Sequence, residues 1–127
     1  MHEASLVQGL LKVALESWKV YNETHPGEEA GRICELRCSY GLLACFEEET
    51  LRACFELFAE NTVAQGAHLI LELEPLACFC QNCDNNFELL ERHFICPDCG
   101  SEKISFSGGN GLVLQAINVE TKEKGND

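Results

Sequence analysis

The stretch Cys80-Gln81-Asn82-Cys83, twelve residues, then Cys96-Pro97-Asp98-Cys99-Gly100 restricts this chain more than any other part of it. Two thiols separated by two residues share one tight turn, so their sulfurs can converge on a single point. Two such knuckles supply four soft anionic ligands in a tetrahedron, the arrangement of a closed structural Zn²⁺ site. A pair of disulfides or a thiol redox pair would use the same residue type. No secretory leader precedes the run, and a redox Cys-x-x-Cys needs only one knuckle, usually in a βαβ context. The spacing therefore points to structural zinc held by Cys80, Cys83, Cys96 and Cys99. Cys78 offers a competing Cys78-Phe79-Cys80 start, and His93 lies close enough in sequence to compete as a ligand. The symmetry of the two knuckles favours Cys80 and Cys83, and His93 reads as a surface hairpin residue. Gly100, just past the second turn, lets backbone N–H groups approach sulfur. A segment this small scarcely folds alone, so metal binding is expected to supply on the order of 10 kcal/mol.

At 127 residues the chain suits one compact domain, or one domain with a small appendage, and its 46% hydrophobic content suffices for a real core. No apolar run approaches the roughly 20 residues of a membrane span. The absence of a basic, apolar leader leads us to expect a cytoplasmic protein. In a reducing compartment nine cysteines mean metal ligation plus buried free thiols. The formal charge is −12 with every thiol neutral, and four thiolates around one Zn²⁺ make it two units more negative. Such a surface repels phosphate backbones, which argues against nucleic-acid binding, the commonest use of a zinc ribbon.

Residues 4 to about 21 carry apolar side chains at helical spacing: Leu6, Leu10 and Val13, with Val7, Leu11, Ala14, Trp18 and Tyr21 beside them. An amphipathic helix starting almost at the first residue is predicted, then a polar loop over residues 22–31. Residues 32–40 alternate, with Cys34, Leu36, Cys38 and Tyr40 on one face, and read as a half-buried strand whose cysteines are small core hydrophobes. Cys45 in the next loop is harder to place. Glu47 to Glu49 open a second helix, favoured by its N-terminal dipole, with Leu51, Cys54, Phe55 and Phe58 on the buried face. A second strand covers residues 68–74 and ends at Pro75. The zinc segment leaves through Ser107-Gly108-Gly109-Asn110-Gly111, a flexible hinge by composition. In the last strand, residues 112–120, the apolar phase changes between Leu114 and Ile117, as a β-bulge near Gln115-Ala116 would allow.

The predicted fold is α+β: two helices packed on a three-stranded, mostly antiparallel sheet, with an inserted four-cysteine zinc ribbon. We expect an α/β domain from residues 1–75 plus 111–120, the ribbon at 76–110, and a disordered tail at 121–127.

The start, Met1-His2-Glu3, is the other place where chemistry is readable. His2 is large enough to disfavour removal of the initiator methionine. A free α-amine, the backbone nitrogen of His2 and its imidazole can chelate one metal in fused rings, and Glu3 can complete the set through its backbone nitrogen or its carboxylate. Such nitrogen-rich, tetragonal sites suit Ni²⁺ or Cu²⁺ better than Zn²⁺. Taken alone, an exposed histidine near a terminus is more often idle.

Met1-His2-Glu3 with the following Ser5-Leu6-Val7, the helix Glu49-Thr50-Leu51-Arg52-Ala53-Cys54-Phe55-Glu56, the paired knuckles and Gly109-Asn110-Gly111-Leu112 together resemble the HypA/HybF hydrogenase nickel-incorporation family. The resemblance covers almost the whole chain in order. It implies a nickel metallochaperone that carries Ni²⁺ to the maturing large subunit of NiFe hydrogenase, working with a HypB-type GTPase, with urease as a second client in some members. It also implies nickel at Met1, His2 and Glu3 and structural zinc at Cys80, Cys83, Cys96 and Cys99. One departure is Gly41-Leu42-Leu43, where the family usually has Gly-Glu-Leu, so that carboxylate has no counterpart at position 42. The alternative from the residues alone is a zinc-ribbon interaction adaptor without nickel transfer. No nucleophile–base pair, phosphate loop or carboxylate pair suggests an enzyme, and neither nucleic acid nor a membrane is an expected partner. Monomer and homodimer both remain open.

Overall fold

The computed structural model describes residues 2–121. Met1 and residues 122–127, and with them all but the first residue of the expected tail, lie outside the described residues. The elements run α1 (His2–Thr24), β1 (Ala30–Gly41), α2 (Glu48–Ala59), β2 (His68–Glu74), β3 (Leu76–Cys80), β4 (Asn86–Leu89), β5 (Ile104–Phe106) and β6 (Leu112–Thr121). They form two three-stranded sheets, ordered β2-β1-β6 and β4-β3-β5, the second inserted in sequence between β2 and β6. This is the α+β architecture with a four-cysteine ribbon that the sequence predicts.

The chain divides into two compact units, one of residues 2–38, 46–70 and 113–121, the other of residues 39–45 and 71–112. In the first, α1 packs against α2. The face of α1 that is buried runs Glu3, Val7, Leu10, Leu11 and Ala14. These positions recur at the 3.6-residue period, but the stripe is narrower than the sequence suggests, since Val13 and Tyr21 are exposed. The helix also runs one turn further than expected. Thr24 Oγ1 donates to the Val20 carbonyl at 2.9 Å near its end, and Trp18 Nε1 ties it to β1 by donating to Gly31 O at 2.7 Å. On α2 the buried residues are Leu51, Phe55 and Ala59, one turn apart, with Cys54 and Phe58 only half-buried at the sides. In β1, Leu36 and Cys38 are buried as the alternation requires, and Ile33 is buried from the opposite phase. Burial pushes the Cys38 thiol up to about 11, which suits an inert core residue. The half-buried positions of β6 are Leu112, Leu114 and Ile117, so the phase changes across Gln115 and Ala116, but Val119, expected on the same face, is exposed.

The second unit has its own core. Leu42, Leu76 and Cys78 are buried, with Leu43, Leu73, Phe87, Leu89, Phe94 and Ile104 packed around them. Leu42 is therefore a core residue, and a carboxylate there would need a buried partner. Arg92 closes this corner, its Nε donating to Leu42 O at 2.9 Å and its Nη2 to Ala44 O at 3.1 Å. The glycine-rich stretch before β6, which composition alone suggests is a flexible hinge, is bonded to residues 41–43 instead. Leu43 N donates to Gly109 O at 2.6 Å, and Gly41 N to Gly111 O at 3.0 Å. Gly108 and Gly109 take φ of +75° and +88°, conformations that side chains disfavour. The backbones also come too close for a side chain, because a Cβ on Gly41 would lie 2.1 Å from Gly109 O. We expect Gly41→Ala to force these two backbone segments apart and to destabilise the protein by about 1–3 kcal/mol, measured by thermal or urea unfolding.

Candidate metal centre

The four cysteines are brought together by three short strands. β3 pairs antiparallel with β4 on one side, Leu76 opposite Leu89 through Phe79 opposite Asn86, and with β5 on the other, Cys78 opposite Phe106 through Cys80 opposite Ile104. Along β3 burial alternates strictly, so Leu76, Cys78 and Cys80 face inward while Ala77 and Phe79 face out. Cys80 ends that strand and starts the first knuckle, and the second lies between β4 and β5.

The two knuckles repeat one hydrogen-bond pattern sixteen residues apart. Asp84 N donates to Cys80 O at 2.8 Å, and Gly100 N to Cys96 O at 2.9 Å. Cys80 N donates to Asn85 O at 2.8 Å, and Cys96 N to Ser101 O at 2.9 Å. Each turn exits through a left-handed residue, Asp84 with φ 61° and Gly100 with φ 75°. Glycine is the residue that takes this conformation without strain, and aspartate is among the few others that tolerate it. The equivalence was legible in the spacing, but the matching role of Asp84 was not.

The result is a single group in which one ligand atom from each of Cys80, Cys83, Cys96 and Cys99 lies within 4.8 Å of all the others. Cys80 and Cys96 are buried, Cys83 and Cys99 exposed. Sγ of Cys80 is 3.6 Å from that of Cys99, and Sγ of Cys83 is 3.7 Å from that of Cys96. A tetrahedron with Zn–S bonds of about 2.3 Å has edges of about 3.8 Å, so these separations fit zinc. Cys78 belongs to the hydrophobic cluster, where burial raises its thiol, and His93 is exposed and outside the sulfur group.

The sulfurs are unequal. Although the residue is exposed as a whole, desolvation of its sulfur and the adjacent thiols push Cys83 up to about 12. Cys99 is lowered to about 6 by the Asn82 side-chain amide, whose Nδ2 lies 3.5 Å from the sulfur, and by the Ser101 N–H. Burial works against ionisation of Cys96, yet the N–H groups of Cys99 and Asp98 bring it below its ordinary value. Four adjacent thiols cannot all ionise without a cation among them, and N–H donors aimed at sulfur stabilise the thiolates a metal requires. Asn82 is the residue that motif reading overlooks, because the Cys-x-x-Cys spacing says nothing about its two inner positions.

At the other end of the chain, Met1 is outside the described residues. His2 is the first residue of α1 and is exposed. Glu3 is buried at 7% exposure, and its Oε2 accepts the N–H of Glu47 at 2.8 Å. Glu47 is the N-cap of α2, its carboxylate accepting Thr50 N at 2.9 Å and Thr50 Oγ1 at 2.7 Å. Those two donors hold the Glu47 carboxyl below the usual carboxylate range.

The ribbon inserted in sequence between β2 and β6 and its convergent sulfurs define a small α+β protein with a four-cysteine group able to hold a metal ion. The chain belongs to the HypA family: the family described as "Hydrogenase/urease nickel incorporation, metallochaperone, hypA" matches residues 1–119. It is 33% identical over 120 residues to "Hydrogenase maturation factor HypA" of Aquifex aeolicus, covering 94% of this chain and 98% of that one. It is 31% identical to the protein of the same name from Dechloromonas aromatica over 94% of this chain and all of that one. "Hydrogenase maturation factor HybF" of Escherichia coli K12 is 32% identical over the same shares. The fold is shared with the solution structure of the Ni metallochaperone HypA from Helicobacter pylori, at a TM-score of 0.59 and 19% identity, covering 96% of this chain and all of the other. Family members are maturation metallochaperones and not enzymes. Among the described residues no helix is long and apolar enough to cross a membrane.

Replacing Cys80 or Cys96 by serine should abolish the thiolate-to-metal charge-transfer band of a tetrahedral Co²⁺ complex at this group. A full band in either variant would show that these four sulfurs do not form one site.

Proposed function

We propose that this protein binds Ni²⁺ at its amino terminus through Met1, His2 and Glu3 and delivers it during maturation of NiFe hydrogenase, with urease as a second client. Zn²⁺ is held separately by Cys80, Cys83, Cys96 and Cys99. The observation that carries the reading is the match of the chain, from residue 1 to residue 119, to a nickel-incorporation metallochaperone family. The partners we assign are a HypB-type GTPase and the hydrogenase large subunit, met in the cytoplasm.

The chemistry of the two donor sets supports the division. A four-sulfur site has no open position, so its zinc supplies a permanent crosslink and no transfer chemistry. The terminal donors are different. His2 is exposed at the start of α1, where a partner can reach it. The first N–H groups of a helix point out from its end, so ligation by the backbone nitrogens of residues 2 and 3 breaks no rung of the helix ladder. The positive end of the helix dipole favours loss of amide protons and disfavours an added cation, a combination that suits capture followed by release. Nickel must displace protons from the imidazole and the α-amine, so affinity falls as pH falls and rises as it rises.

Nickel titration of protein with its native terminus, of protein extended by a short tag and of His2→Ala tests the proposal. The tag and the substitution should each weaken nickel at least about tenfold while zinc content and the circular dichroism spectrum stay unchanged. Normal nickel capture by the tagged protein would overturn the terminal site and leave a zinc-stapled adaptor. Parallel loss of zinc in His2→Ala would contradict the separation of the two sites.

A further inference from the structure

We propose that the Glu3 carboxylate is a positioning group, completing the N-terminal cap of α2 from a different helix and so orienting the backbone nitrogens of residues 2 and 3. Among the described residues Glu3 is the one charged side chain that is buried. A buried carboxylate is costly unless donors are aimed at it. One is in place: Glu3 Oε2 accepts the N–H of Glu47 at 2.8 Å, across 44 residues of sequence. That N–H belongs to the N-cap residue of a twelve-residue helix.

The arrangement is a capping box divided between two helices. In the usual box, the side chain of the N-cap residue accepts the N–H of the third helical residue, and that residue's side chain reaches back to the N-cap N–H. Here Glu47 makes the first half, taking the N–H of Thr50. Thr50 has a side chain too short for the second half, and its hydroxyl donates to the Glu47 carboxylate instead. Glu3 supplies the missing acceptor. Its charge also sits at the positive end of α2, and the acidic pair Glu48 and Glu49 follows in the same first turn.

The consequence for the terminus is geometric. Residue 3 is fastened by its side chain, so the backbone of residues 2 and 3 is held in one orientation relative to α2, while the His2 imidazole stays exposed. Pre-set donors need less ordering on binding, so they bind a metal more tightly than loose ones. The metal part of this inference rests on the reading of residues 1–3 as the nickel site, but the capping part does not.

Glu3→Gln and Glu3→Ala, both with native termini, separate the roles. Gln keeps a carbonyl that can accept the Glu47 N–H, whereas Ala keeps none. Without metal, amide exchange at Glu47 should be about tenfold faster in Glu3→Ala than in the wild type, and within about threefold of it in Glu3→Gln. With Ni²⁺, Glu3→Gln should bind with near wild-type affinity and an unchanged X-ray absorption spectrum. Glu3→Ala should bind more weakly with that same spectrum. Loss of nickel in Glu3→Gln at wild-type Glu47 exchange would overturn the proposal by making the carboxylate a ligand. Unchanged Glu47 exchange in Glu3→Ala would overturn it by removing the cap. If Glu3→Ala does not fold, the Glu3→Gln arms decide the question alone. A wild type that binds no nickel would instead sink the proposed function and leave the metal-free exchange result standing.

Discussion

Four sulfur atoms within 4.8 Å of one another set the terms for the second unit of this protein. Neutral thiols at that separation contribute little, and four thiolates would repel one another strongly. Only a cation among them makes the arrangement favourable, and the N–H groups directed at Cys83, Cys96 and Cys99 prepare the sulfurs for it. The surrounding hydrophobic cluster is small, with three buried residues and a half-buried shell. A unit of this size gains much of its stability from such a crosslink. The repeated turn geometry of the two knuckles follows from the same demand, since each must deliver two sulfurs to one point from a single turn.

The first unit is stabilised differently, by two amphipathic helices that pack along their apolar faces. The polar exception is Glu3, where the buried face of α1 carries a carboxylate into the N-terminal end of α2. A helix end is one of the few places in a protein interior that offers donors and a positive potential together. That is why a charge is tolerated there, and it joins the first turn of α1 to the start of α2.

The two halves of the chemistry were unequally legible. The knuckle spacing names its four cysteines directly, because two residues between thiols is a local geometric requirement. Choosing Cys80 over Cys78 was harder from spacing alone. Both face inward on β3, and the choice falls out of where the strand ends: Cys78 stays within the pairing and meets Leu42 and Leu76, while Cys80 stands at the turn. Helix and strand positions followed from periodicity, yet α1 proved longer than its apolar stripe, because its last turn is capped by polar side chains that carry no hydrophobic signal. By composition alone the glycines before β6 form a hinge. Composition reports freedom in the unfolded chain, and the structure uses that freedom for close backbone approach.

What the amino-acid sequence determined by itself was whatever depends on neighbours a few residues apart: the two helices, the strand alternation, the phase change in β6, the pairs of thiols and the donor-rich opening residues. What only the tertiary structure decided was which distant groups meet. The burial of Leu42, the guanidinium of Arg92 on residues 42 and 44, the amide of Asn82 on Cys99 and the carboxylate of Glu3 on Glu47 all belong to that second kind. Each pairs groups that are unremarkable in their own stretch of chain, and a hydrogen bond across tens of residues leaves no periodic trace in the sequence that makes it.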